Sequence, residues 1–152
     1  MEINQLSYRS RIHWPALRGD LDEEVEKTLR RSRRINQRAG VTGALLLTDT
    51  HIFQLLEGPS DAVLSTLDCA MSDKRHTDIC ILAKHRAPYR LFHTSWMHFC
   101  DLRDEPEKRY PRFVADLAHY PTHMSGEEFY EVLMLLSANM EQSRITTRIA
   151  LM

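Results

Sequence analysis

A chain of 152 residues with 43% hydrophobic and 27% charged positions is long enough to bury a core in one domain and too apolar to stay disordered. Its net charge of −1 gives no global pull toward nucleic acid or an anionic membrane. No stretch approaches ~18 consecutive apolar residues, and the opening MEINQLSYRS lacks a basic segment followed by an apolar run, so neither a spanning helix nor a signal peptide is expected and the cytoplasm is the default compartment.

INQLSY predicts a first strand, and RSRIHWPALRGD a loop punctuated by Pro15 and Gly19. From Asp20 the period changes. Leu21, Val25, Thr28, Leu29, Ser32 and Asn36 recur at spacings of three and four and so share one helical face. Asp20, Asp22, Glu23 and Glu24 crowd the start, Arg30, Arg31, Arg33 and Arg34 the end, and Gly40 stands where a cap belongs. The inward face is apolar at first and then polar, at Ser32 and Asn36.

VTGALLLT and IFQLLEG predict two strands joined at DTH, with apolar residues at both parities, the pattern of a sheet covered on both faces. A second helix follows, with Ser60 as its cap and Val63, Leu64, Leu67, Ala70 and Met71 as its buried stripe. After the turn SDKRHTD, ICILA predicts a fourth strand and SWMHF a short fifth. The order matches the split βαβ arrangement of α+β ferredoxin-like folds, βαββαβ, with an extra fifth strand. Beyond residue 104, Pro106 and Pro111 frame a short helix through Phe113, Val114 and Leu117, and Ser125 with Glu128 has capping-box spacing ahead of the stripe Phe129, Val132, Leu133, Leu136 and Met140. This helical pair is the natural cover for the second sheet face.

Eight histidines form no HxH, HExxH or Cys/His cluster, so no metal site is expected. The separated Cys69, Cys80 and Cys100 fit reduced core thiols better than a disulfide framework. The five glycines are scattered and make no phosphate loop, and the arginine run at 30–34 is a solvated helix end matched to the helix dipole rather than a nucleic-acid patch. What stands out is a set of polar residues aimed inward: Tyr8, Asn36 and Gln54. Singly, each is an ordinary hydrogen-bonded core group. Together, on two adjacent central strands and the helix above them, a phenol and two amides make a socket for a flat ligand with donors and acceptors along one edge.

Tyr8 with Ser10, SRRIN ending at Asn36, GVTGALL, FQLLEGP around Gln54, DKRH at 73–76, and Phe92 followed by SWM closely resemble the BLUF family, sensors of blue light using flavin, over residues 1–101. The resemblance implies a flavin, FAD foremost with FMN or riboflavin as options, between the two helices on one sheet face and the C-terminal helical pair on the other. It implies cofactor contacts from Tyr8, Ser32, Asn36, Gln54, Arg75, His76 and Met97, with Arg75 and His76 toward the phosphate tail. Photoactivity falls to Tyr8, Gln54 and Met97: the tyrosine gives an electron and a proton, the glutamine is left rotated or tautomerised, and absorption shifts to the red.

Members usually carry tryptophan two positions before the methionine. Here Ser95 fills that slot and Trp96 is displaced by one, so strand alternation puts Met97 near Gln54 and turns Trp96 toward the C-terminal helices. Ile35, polar in some relatives, is a second departure. Residues 1–101 then form the flavin-binding domain and 102–152 a helical extension serving output, through a downstream protein or a homo-oligomer, because no cyclase or phosphodiesterase follows. The implied activity is sensing without turnover. A small flavin-dependent oxidoreductase and a non-photoactive ferredoxin-like interaction module are the alternatives.

Overall fold

The computed structural model describes residues 3–13 and 19–151, and for residues 140–151 the backbone alone. Pro15, expected in the first loop, and the Met140 side chain lie outside the described residues. The chain runs β1 (Ile3–Ile12), α1 (Leu21–Ala39), β2 (Thr42–Leu47), β3 (His51–Gly58), α2 (Ser60–Met71), β4 (His76–Ala87), β5 (His98–Asp101), a 3-10 turn (Pro106–Lys108), α3 (Arg112–His119) and α4 (Gly126–Leu151). The strands form one sheet in the order β4-β1-β3-β2-β5, antiparallel except for the parallel β2–β5 pair. This is the ferredoxin-like order with a fifth strand added at one edge.

Local chemistry explains the helix ends. The Asp20 side chain accepts from the Asp22 N–H at 3.0 Å, and α1 stops at Gly40, whose φ of 75° a residue with a Cβ adopts at a cost. At α4 the expected capping box forms in both directions: Glu128 N–H donates to Ser125 Oγ and Ser125 N–H to Glu128 Oε1, each at 3.1 Å. At α2 the cap is Pro59, without a side-chain hydrogen bond, and Ser60 is the first helical residue rather than the cap.

The sheet separates two cores because strand side chains alternate. Leu6, Tyr8, Leu56 and Met97 pack with Leu29 of α1 and with Val63 and Leu67 of α2. On the other face Ala44, Leu46, Phe53 and Leu55 pack with Val114 and Leu117 of α3 and with Phe129, Val132, Leu133 and Leu136 of α4. The C-terminal pair therefore covers the second face as expected.

Several sequence expectations need correction. Strand β4 outruns the predicted ICILA because it is an edge whose ends carry charge that local hydropathy reads as turn, and β1 outruns INQLSY because its charged end at Arg9 and Arg11 is still paired with β3 and β4. In α2, Leu64 and Met71 are exposed, whereas Val63 and Leu67 are buried and Ala70 packs against the same core. Cys100 alone is a core thiol. Cys69 on α2 and Cys80 on the edge strand are exposed. Residues 95–97 lie before β5 in no strand, with bends at 96 and 97, so alternation does not govern them; Trp96 is 38% exposed and is not part of the cluster beneath α3 and α4.

Candidate functional site

The ladder β1–β3 pairs Tyr8 with Gln54, the two central strands bringing their side chains to the face beneath α1 and α2. Both are buried, and the Tyr8 hydroxyl donates to Gln54 Oε1. The other end of the same amide, Nε2, donates to the Met97 sulfur at 3.6 Å. Sulfur is a weak acceptor, so an amide with two N–H donors keeps donor capacity to spare. Burial, followed by the negative charge of Asp73, raises the Tyr8 pKa well above the ordinary phenol value, so the hydroxyl stays protonated at any physiological pH.

Asn36 is buried on α1, where its Nδ2 donates to the Trp96 carbonyl at 2.7 Å, and Arg33 one turn earlier donates through Nε to the Met97 carbonyl at 3.0 Å. These two bonds pin the 96–97 backbone to α1. They bury Met97 against Gln54 without any strand around it. Ser32 is partly buried on the same helix, whereas Ile35 is exposed.

His76 begins β4 with its ring centroid 6.4 Å from that of Tyr8. Its Nε2 lies 2.5 Å from the Ala70 carbonyl, which can only accept, so that nitrogen carries the hydrogen. Its Nδ1, 2.6 Å from Ser10 Oγ, then accepts from the serine hydroxyl in the neutral imidazole. A cleft of about 610 Å³ opens here, bordered by His13, Met71, Asp73, Lys74, His76 and Ile79.

Arg75 does something the motif did not announce. Its fork closes on Asp73 (Nε–Oδ1 2.9 Å, Nη2–Oδ2 2.6 Å), Nη1 donates to Thr28 Oγ1 at 2.5 Å, and Glu24 stands 3.8 Å away, so the guanidinium braces α1 to the α2–β4 turn. The hydrogen bond from Arg75 holds the Asp73 carboxyl below the usual carboxylate range.

Gln5 and Glu57, absent from the residues expected to matter, are both fully buried on the face opposite Gln54. The Glu57 carboxylate accepts from Gln5 Nε2 (2.8 Å), Thr42 Oγ1 (3.3 Å), Leu91 N–H (2.7 Å) and Phe92 N–H (2.9 Å). The signal was available, because a glutamate three residues after Gln54 in an aliphatic strand carries the same anomaly, yet the adjoining Gly58 made it resemble a strand end. Among the described residues no group of three metal-binding side chains occurs, and no helix is long and apolar enough to cross a membrane.

The buried phenol and paired amides, with hydrogen-bonding capacity left over and aliphatic walls around them, fit a planar heterocycle with an alternating donor and acceptor edge. Residues 3–98 match the family described as sensors of blue-light using FAD. The chain belongs to the BLUF family. It is 36% identical over 105 residues to the blue light- and temperature-regulated antirepressor BluF of Escherichia coli (strain K12), a match covering 66% of this chain and 24% of that protein. The chain thus aligns with about a quarter of that relative's length. Among solved structures, BlrB, a BLUF protein in its dark state, has a TM-score of 0.77 at 26% identity over 91% of this chain and 97% of that one. Klebsiella pneumoniae BlrP1 with FMN and cyclic diGMP has a TM-score of 0.59 at 34% identity, covering 66% of this chain and 26% of BlrP1. Members of the BLUF family bind flavin and sense blue light, and this chain shares their fold and core motifs.

Proposed function

We propose that this BLUF protein holds FAD between α1 and α2 and reports blue light through Tyr8 and Gln54, without catalytic turnover. The observation that supports the reading is the amide of Gln54, gripped at its oxygen by the Tyr8 phenol and hydrogen-bonded at its nitrogen, among the described residues, to the Met97 thioether. Asn36 would hold the pyrimidine edge of the ring and Gln54 its opposite polar edge, with Ser32, His76 and Met97 closing the surround. When bound, the flavin supplies an excited state that takes up an electron and then a proton. Tyr8 would be the donor of both and the group to which both return, and its raised pKa keeps the hydroxyl protonated in the dark.

While the phenol is changed, Gln54 loses the donor that fixed its orientation. Exchanging the carbonyl and NH2 corners of an amide alters the bonding pattern at nearly constant volume. The two arrangements need differ by only about one net hydrogen bond, ~1 kcal/mol, so the minor one survives for a time and then reverts. Arg75, engaged by Asp73, serves this site as a brace on α1 and reaches a phosphate tail only by releasing that carboxylate.

Residues 1–101 form the sensing domain and 102–152 the output element, read in the cytoplasm by a downstream protein or a second copy. The relatives favour such a relay: BluF is a regulated antirepressor. The test is an absorption spectrum of the purified protein before and after blue light. A yellow protein whose bands move reversibly to the red supports the proposal; bleaching that needs a reductant, or a colourless protein that refuses flavin, rejects it.

A further inference from the structure

The ladder between β1 and β4 pairs Ser7 with Ala83 and then Tyr8 with Ile81, which leaves Leu82 as an extra residue bulged out of register beside the photoactive tyrosine. A bulge turns consecutive side chains to the same face. Leu82 packs on the cluster containing Phe53, Phe129 and Val132, and Ala83 also lies toward α4. The first residue of α4, Gly126, sits directly on this point. A Cβ built there would lie 2.3 Å from the Leu82 carbonyl oxygen and 3.2 Å from Ala83 Cβ, so no residue but glycine lets the helix approach so closely. The Ser125–Glu128 capping box fixes the start of α4 at that spot. One turn further on, the Tyr130 ring meets His85 of β4 edge to face at 4.9 Å.

We infer that Gly126 seated on the Leu82 bulge couples the strand of Tyr8 to α4, so that the light signal leaves the sheet through β4 rather than through Met97 and β5. The inference rests on the photoreceptor reading. A bulge is where a strand can shift at least cost, because its ladder is already interrupted. When the Tyr8–Gln54 bond changes, β1 and β4 readjust at that interruption. The Leu82 carbonyl moves against the start of α4, and the helix passes from a seated to a lifted position. Those two positions are the bistable element such coupling needs.

The experiment is hydrogen exchange on the flavin-loaded full chain, dark and lit, in the wild type and in Gly126→Ala, with the absorption spectrum recorded on each sample. In the wild type, light should speed exchange several-fold at residues 82–83 and 126–130 together. Gly126→Ala should keep the red shift while residues 126–130 exchange in the dark as fast as in the lit wild type and gain nothing on illumination. A variant that keeps the wild-type difference at 126–130, or a wild type whose changes are confined to 97–101, overturns the coupling. Should Gly126→Ala not yield folded protein, the wild-type pattern decides alone, since both segments must respond. A wild type with no spectral shift refutes the photoreceptor reading itself, and that failure is recognised by its spectrum.

Discussion

Tyr8 and Gln54 are direct cross-strand partners at the centre of the sheet, joined from phenol to amide oxygen. On the proposed reading, removing either end disables the same switch. Tyr8→Phe and Gln54→Ala should each keep bound flavin, read as the flavin-to-protein absorbance ratio, and lose the normal red shift. Tyr8→Phe also leaves the Gln54 oxygen without its donor, a cost of about 1–3 kcal/mol in urea unfolding. A normal photocycle in either variant contradicts the assigned roles.

The second buried polar centre is a matter of stability. Glu57 accepts from a side-chain amide, a hydroxyl and two backbone N–H groups, and so ties β3 to β1, β2 and the 91–92 segment. Glu57→Ala strands those neutral donors in the core, where each left without a partner costs about 1–3 kcal/mol. Glu57→Gln keeps one acceptor oxygen and should cost less. Chemical denaturation of both variants checks the order, and a Glu57→Ala protein as stable as wild type would show the network to be dispensable.

Thiol chemistry should divide the three cysteines. Cys69 and Cys80 are exposed, whereas burial pushes the Cys100 thiol up to about 12 and closes it to reagents. Titration with an aromatic disulfide at pH 8 should count two fast thiols in the native protein and a third only after unfolding.

The Arg75 brace carries a pH signature. The hydrogen bond from Arg75 depresses the Asp73 pKa, so the stability it contributes is fully present above the unfolded carboxylate value near ~3.9 and is lost as pH falls through the lower folded value. Because the pair is about a third exposed, its worth is at most ~1 kcal/mol. Asp73→Asn should be less stable than wild type at pH 7, and the gap should close below pH 4. A gap unchanged across that range would mean the ion pair is not its source.

The buried polar cluster around Gln54 was legible because amides among aliphatic residues are costly unless hydrogen-bonded. Gln54 and Asn36 announced themselves that way, and the charge gradient along α1 marked its ends. What stayed hidden depended on distant contacts. Met97 lies against Gln54 as expected, but what holds it there is Arg33 and Asn36 on the 96–97 carbonyls, bonds spanning 60 residues or more, and not strand alternation. Arg75 looked like a phosphate fork until the turn placed Asp73 against it. The length of β4 was obscured because an edge strand keeps polar residues that an inner strand would not tolerate.

Light should change the bonding of one amide, Gln54, and infrared difference spectroscopy reads that directly. Protein carrying glutamine labelled at the side-chain carbonyl should give a light-minus-dark amide band that is missing from labelled Gln54→Ala. A flavin that shifts to the red while the Gln54 carbonyl band stays fixed would mean that Gln54 is not what light rearranges.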